Sequence, residues 1–106
     1  MAAPPKDQVI AEGEDALDLL EGGAYSDDKK TLAELSALLE NVRSGALAIS
    51  AEREDKRRPD DWGKLAHEVL PLQSALEEYE NKGTAVDAEL IEAFSGALED
   101  AEKSRG

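Results

Sequence analysis

The sequence predicts an all-α protein, a four-helix antiparallel bundle with a central helical hairpin. Three observations predict it. Apolar residues recur in steps of three and four along four separate segments. Each segment is bounded by residues that start or stop helices. No stretch shows strand-like alternation or an Asn-Gly hairpin turn.

Residues 1–5, "MAAPP", read as a disordered arm, residues 6–104 as the single bundle domain, and 105–106 as a tail. Pro5 suits the first helical position, where a missing N–H costs little. From about Asp7, the residues Val9, Ile10, Ala16, Leu17 and Leu20 share one helical side. Gly22-Gly23 ends this helix, because glycine adopts the left-handed C-terminal conformation without a Cβ penalty.

The second helix is expected to start in "YSDDKK", capped by Ser26 or Asp27, with Asp28 at the positive dipole end. Leu32, Leu35, Leu39, Val42, Ala46, Ile49 and Arg53 then form an unbroken heptad seam. Ala33, Ala37, Leu47 and Ala51 make a second face of mostly small residues, which allows another helix to approach closely.

The third helix follows Pro59. Trp62, Leu65, Val69, Leu72, Leu76 and Tyr79 repeat the same spacing. Pro71 lies off this seam. It lacks a backbone donor and predicts a kink that leaves the seam facing inward. "NKG" ends the helix at Gly83. The fourth helix is expected to open at Thr84, with Asp87 in the place of a capping-box acid. Its apolar face is Leu90, Ile91, Phe94, Ala97, Leu98 and Ala101, and Lys103 and Arg105 suit its negative end.

Short links make antiparallel neighbours, so the second and third helices form a hairpin. Its corner, "EREDKRRPDDW", carries Arg53, Lys56, Arg57 and Arg58 in an otherwise acidic chain. The cations end one helix, and Pro59, Asp60 and Asp61 begin the next, so opposite charges satisfy both dipole ends. Trp62 takes the first seam position and is expected in the core near Ala46 and Ile49.

Composition narrows the function. The chain has 25 acidic and 12 basic residues, a net charge of -13 and no cysteine. Such a charge repels phosphate backbones and anionic membranes and attracts basic surfaces. It predicts no direct nucleic-acid binding and no membrane binding. Without cysteine there are no disulfides, thiolate metal sites or cysteine nucleophiles. No apolar run approaches the ~20 residues that span a bilayer, and "MAAPPKDQ" has no leader pattern, so a cytoplasmic protein is expected.

Catalytic chemistry is not apparent in the sequence. His67 is the single histidine, and Lys64 stands three residues before it, so the Glu-x-x-His pair of a di-metal bundle is missing. The serines lack a Gly-x-Ser-x-Gly context. Residues 78–89 can be aligned with a calcium loop, but Lys82 would occupy a ligand position, and helix stop and start signals account for the same residues. The reading is a protein that is not an enzyme, with no catalytic residues, no metal and no cofactor.

One pattern remains. On the first helix Asp7, Glu14, Asp18 and Glu21 line the polar side, and Lys6 is that segment's only base. On the fourth helix Glu89, Glu92 and Glu99 line up, with only Lys103 four residues after Glu99. Like charges one turn apart cost a few tenths of a kcal/mol per pair, where Glu–Lys pairs would gain as much. Glu14, Asp18, Glu21, Glu89, Glu92 and Glu99 are therefore the candidate binding residues. The expected function is non-catalytic protein binding. The partner offers a basic surface, as nucleic-acid-binding enzymes do, and the protein acts as an inhibitor, an immunity-type protein or a phage-style nucleic-acid mimic. The alternative is a structural or assembly subunit that packs through its apolar seams.

Overall fold

The computed structural model describes residues 3–54, 57 and 59–104. Four helices account for the architecture: α1 (Lys6–Gly22), α2 (Lys29–Glu52), α3 (Asp61–Lys82) and α4 (Ala88–Ser104). A short 3-10 turn, Ala24–Ser26, joins the first two. Helix makes up 84% of the described residues, with no strand among them, which is an all-α four-helix bundle.

The chain runs up and down. Ser50 near the end of α2 meets Asp60 before α3, and Glu40 meets Gln73 further along the same pair. Ser104 at the end of α4 donates to Asp61 at the start of α3, while Lys64 faces Asp100. Ala3, ahead of α1, donates its N–H to the Glu52 carboxylate at the end of α2. Each helix is thus antiparallel to its neighbours, α1 closes against α4, and α2 lies diagonal to α4.

The seams read from the sequence form the core. Leu35, Leu39, Val42, Ala46, Leu65, Val69, Leu72, Phe94 and Ala101 are fully or almost fully buried. Among the described residues this core contains no buried polar or charged side chain. Trp62 is buried and lines the same end of the bundle as Ile49, where the hairpin register requires it. Pro71 sits inside an unbroken α3, half-buried beside the seam.

The helix ends refine two expectations, and the exposed face of α2 is a further finding. The α2 cap is Asp28, whose carboxylate accepts from the Thr31 N–H at 2.6 Å. Ser26 instead turns its hydroxyl back to the Gly23 carbonyl. Gly23, in the left-handed region at φ 68°, had already ended α1, so the 3-10 turn occupies the stretch where the earlier cap was expected.

The fourth helix likewise opens later than Thr84. Asp87 begins it, accepting from the Glu89 N–H at 2.9 Å and offering its carbonyl to Leu90 and Ile91. The reason is Val86. Its side chain is buried, and its N–H donates to the Tyr25 hydroxyl. Those ties hold residues 83–87 out of the helix. Val86 and Ile91 then occupy the positions of a hydrophobic staple around the cap.

That further finding is on α2. Ala33, Ala37, Leu47 and Ala51 are all exposed, and no helix among the described residues covers them. Close approach occurs at buried glycines instead. A Cβ on Gly45 would stand 2.8 Å from Val9, and one on Gly13 would stand 2.6 Å from Leu98. These two positions let α2 and α4 come close to α1.

Candidate protein-docking face

The six candidate carboxylates lie on α1 and α4, and all six are exposed. Burial of Val9, Ile10, Gly13, Ala16 and Leu20 turns one side of α1 inward, which leaves Glu14, Asp18 and Glu21 to solvent. Burial of Phe94, Ala97, Leu98 and Ala101 does the same for Glu89, Glu92 and Glu99 on α4.

The antiparallel packing sets the two groups at matching heights. Gly13 abuts Leu98 and fixes the relative height of the helices. At 1.5 Å rise per residue, Glu14 then stands near the level of Glu99, Asp18 near Glu92, and Glu21 near Glu89, each within about 3 Å along the axis. By height alone the six acids fall into three levels, or rungs, climbing roughly 10 Å along the two helices. The rungs depend on the contact between the first and last helices.

Among the described residues none of these six side chains has a hydrogen-bond or ion-pair partner. Other acids are engaged. Glu40 binds Arg43 and Gln73, whose hydrogen bonds hold its carboxyl below the usual range. The same contact raises the Arg43 guanidinium. The Thr31 N–H lowers the Asp28 carboxyl in the same way. Asp100 faces Lys64 at 3.8 Å.

The basic corner is a structural joint. Asp60 caps α3, accepting from the Gly63 N–H at 2.9 Å and from the Ser50 hydroxyl, with Arg53 Nε 3.6 Å away. A Cβ on Gly63 would crowd the Asp60 carboxylate, so a larger residue there must displace the side chain that caps the helix. Lys56, Arg58 and Arg105 lie outside the described residues. The open cleft beside this joint mixes Lys6 and Arg53 with Glu52, Asp60 and Asp61, so it concentrates neither sign of charge.

His67 is exposed on α3. Among the described residues no group of three or more His, Asp or Glu side chains is placed to hold a metal ion. Nor is any helix among them long and apolar enough to cross a membrane. Compared with family models, characterised proteins and solved structures, the chain matches none.

Two contributors to the architecture escaped the sequence reading. Gly13, which the apolar spacing of the first helix passed over, is where Leu98 of α4 comes closest to α1. Tyr25 packs edge-on against Tyr79, with ring centroids 5.2 Å apart, and ties two distant loops through Val86. The only local signal for either was an uncharged residue at an inward helical position, or an aromatic one in a chain with few aromatics.

Proposed function

We propose that this protein is a non-catalytic binding module that docks a basic protein surface through the α1–α4 acids. An inhibitor or immunity-type protein acting on a nucleic-acid-binding enzyme fits this reading. One observation carries it: six exposed carboxylates without partners, stacked in three rungs on adjoining helices. Charge arranged in this way costs stability and is compensated when cations arrive from outside. Carboxylates spaced by helical turns rise ~5–6 Å, against 3.4 Å for phosphates on one DNA strand, so the likeness to a nucleic acid is in charge and not in register.

The alternative of assembly through the apolar seams draws less support, because those seams fill the core of the bundle itself. Affinity capture from the source cells, at low and high salt, tests the proposal. Wild type is compared with Glu14→Lys/Asp18→Lys/Glu21→Lys and with Glu89→Lys/Glu92→Lys/Glu99→Lys. Each triple swap is expected to lose the captured partner with helix content unchanged, and wild type to lose it as salt screens the face. Equal retention by all three proteins at both salt concentrations sinks the reading.

A further inference from the structure

One end of the bundle carries an open depression of about 650 Å³, between the start of α2 and the end of α3. Both tyrosines of the chain line it. Tyr25 is buried, Tyr79 is half-buried, and the two rings meet edge to face. The Val86 N–H donates to the Tyr25 hydroxyl, which ties that ring to the loop before α4. Leu32 adds an apolar wall.

The rim is acidic. Asp27, Asp28 and Glu80 set three carboxylates against the single ammonium of Lys29. Asp28 caps α2 and so meets the positive end of that helix dipole. Asp27 and Glu80 have no such task. Among the described residues neither has a hydrogen-bond or ion-pair partner, and Lys29 pairs with neither. Gly83 ends α3 at the edge of the depression, so the negative end of the α3 dipole adds to the same field. Aromatic rings attract a cation placed over their faces. Rings, carboxylates and helix end therefore favour one kind of guest, an organic cation with a flat or apolar body.

We infer that this depression is a binding site for the guanidinium group of an arginine side chain. A guanidinium is planar, stacks on aromatic rings and is more weakly hydrated than an ammonium, so it loses less on entering beside Tyr79. Its five N–H donors form a fork that serves carboxylates on two elements at once, Asp27 before α2 and Glu80 on α3. The methylene stem lies along Leu32. None of the six acids of the α1–α4 face lines this depression, so the site stands whether or not that face docks a partner.

The full chain is titrated with N-acetylarginine amide, and the tyrosine ring signals are followed by nuclear magnetic resonance. They report on this site alone, because both tyrosines line it. Trp62, at the other end of α3, is the internal reference. The tyrosine signals are expected to shift saturably at millimolar probe, with Trp62 unmoved. N-acetyllysine amide is expected to bind more weakly. N-acetylcitrulline amide, which keeps the shape without the charge, should bind on the order of 10-fold more weakly. Asp27→Asn with Glu80→Gln should weaken arginine binding by a similar factor with an unchanged circular dichroism spectrum, since neither residue caps a helix. Asp15→Asn with Glu54→Gln removes the same charge away from the depression and should leave binding as in wild type. The inference is overturned by tyrosine signals that do not move, by equal shifts at Trp62, or by a lysine or citrulline probe that binds as tightly. It is overturned as well if neutralising positions 27 and 80 acts no more strongly than neutralising 15 and 54.

Discussion

The second helix and the α1–α4 pair share one core but treat charge in opposite ways. Along α2, Lys29, Lys30 and Arg43 equal Glu34, Glu40 and Glu52 in number, Arg43 pairs with Glu40, and Arg53 at the helix end lies beside Asp60, while α3 sets Asp61, Glu68, Glu77, Glu78 and Glu80 against Lys64 and Lys82. In the outer pair, α1 sets Asp7, Glu12, Glu14, Asp15, Asp18 and Glu21 against Lys6. On α4, Glu89, Glu92, Glu99, Asp100 and Glu102 stand against Lys103. Both bury apolar seams of the same kind, so packing does not account for the difference. The balance of charge on α2 favours this chain's own fold, and the excess on the outer pair is what the proposed docking reading has to explain, apart from acids already engaged such as Asp100 with Lys64.

The hardest way to break this division is at the base of the hairpin. Trp62→Ala is expected to cost about 3–5 kcal/mol in a denaturant melt, since a buried indole is lost at the corner. A neutral result would mean that the hairpin does not anchor the fold. Next comes Asp60→Ala, which removes the α3 cap and deprives Ser50 and Arg53 of their acceptor. A loss of about 1–2 kcal/mol is expected, and Asp60→Asn should recover part of it by keeping the cap oxygen.

The outer pair should respond in the opposite sense. Either triple swap to lysine is expected to leave stability unchanged or raise it by a few tenths of a kcal/mol per pair, as repulsion gives way to Glu–Lys pairing. A clear destabilisation in the thermal melt would show that these acids serve the fold.

The smallest effect is in acid. Hydrogen bonds from Arg43 and Gln73 lower the folded-state pKa of Glu40, and the Thr31 N–H lowers that of Asp28. Depressed carboxyl values stabilise the fold above the unfolded pKa, near 4. That contribution is lost as pH falls through the lower folded values. Glu40→Gln with Asp28→Asn should flatten this part of the pH–stability curve, measured by chemical denaturation. An unaltered slope would mean that neither contact persists in solution.

Much of the fold was legible because helices advertise themselves locally. Steps of three and four from Leu32 to Ile49, and from Trp62 to Tyr79, identified the seams without reference to any distant residue. The caps were less legible. Asp28 and Asp87 were chosen over neighbouring Ser26 and Thr84 by tertiary ties, Gly23 ending one helix and Val86 bonding to Tyr25. The small-residue face of α2 was visible as a pattern, but the pattern does not say whether another helix covers it. The candidate acids could be named one helix at a time. Their arrangement into rungs could not, because it depends on where Gly13 meets Leu98, a contact between opposite ends of the chain.

That contact also gives the ladder a mechanical role. Its levels lie on the two helices that meet where the chain closes on itself, so like charge on both opposes that closure, the more so at low salt. A cation that bridges two rungs acts as a clamp across this joint. Whatever docks there would tighten the bundle as it binds, and the bound protein would be harder to unfold than the free one by the linkage between binding and folding.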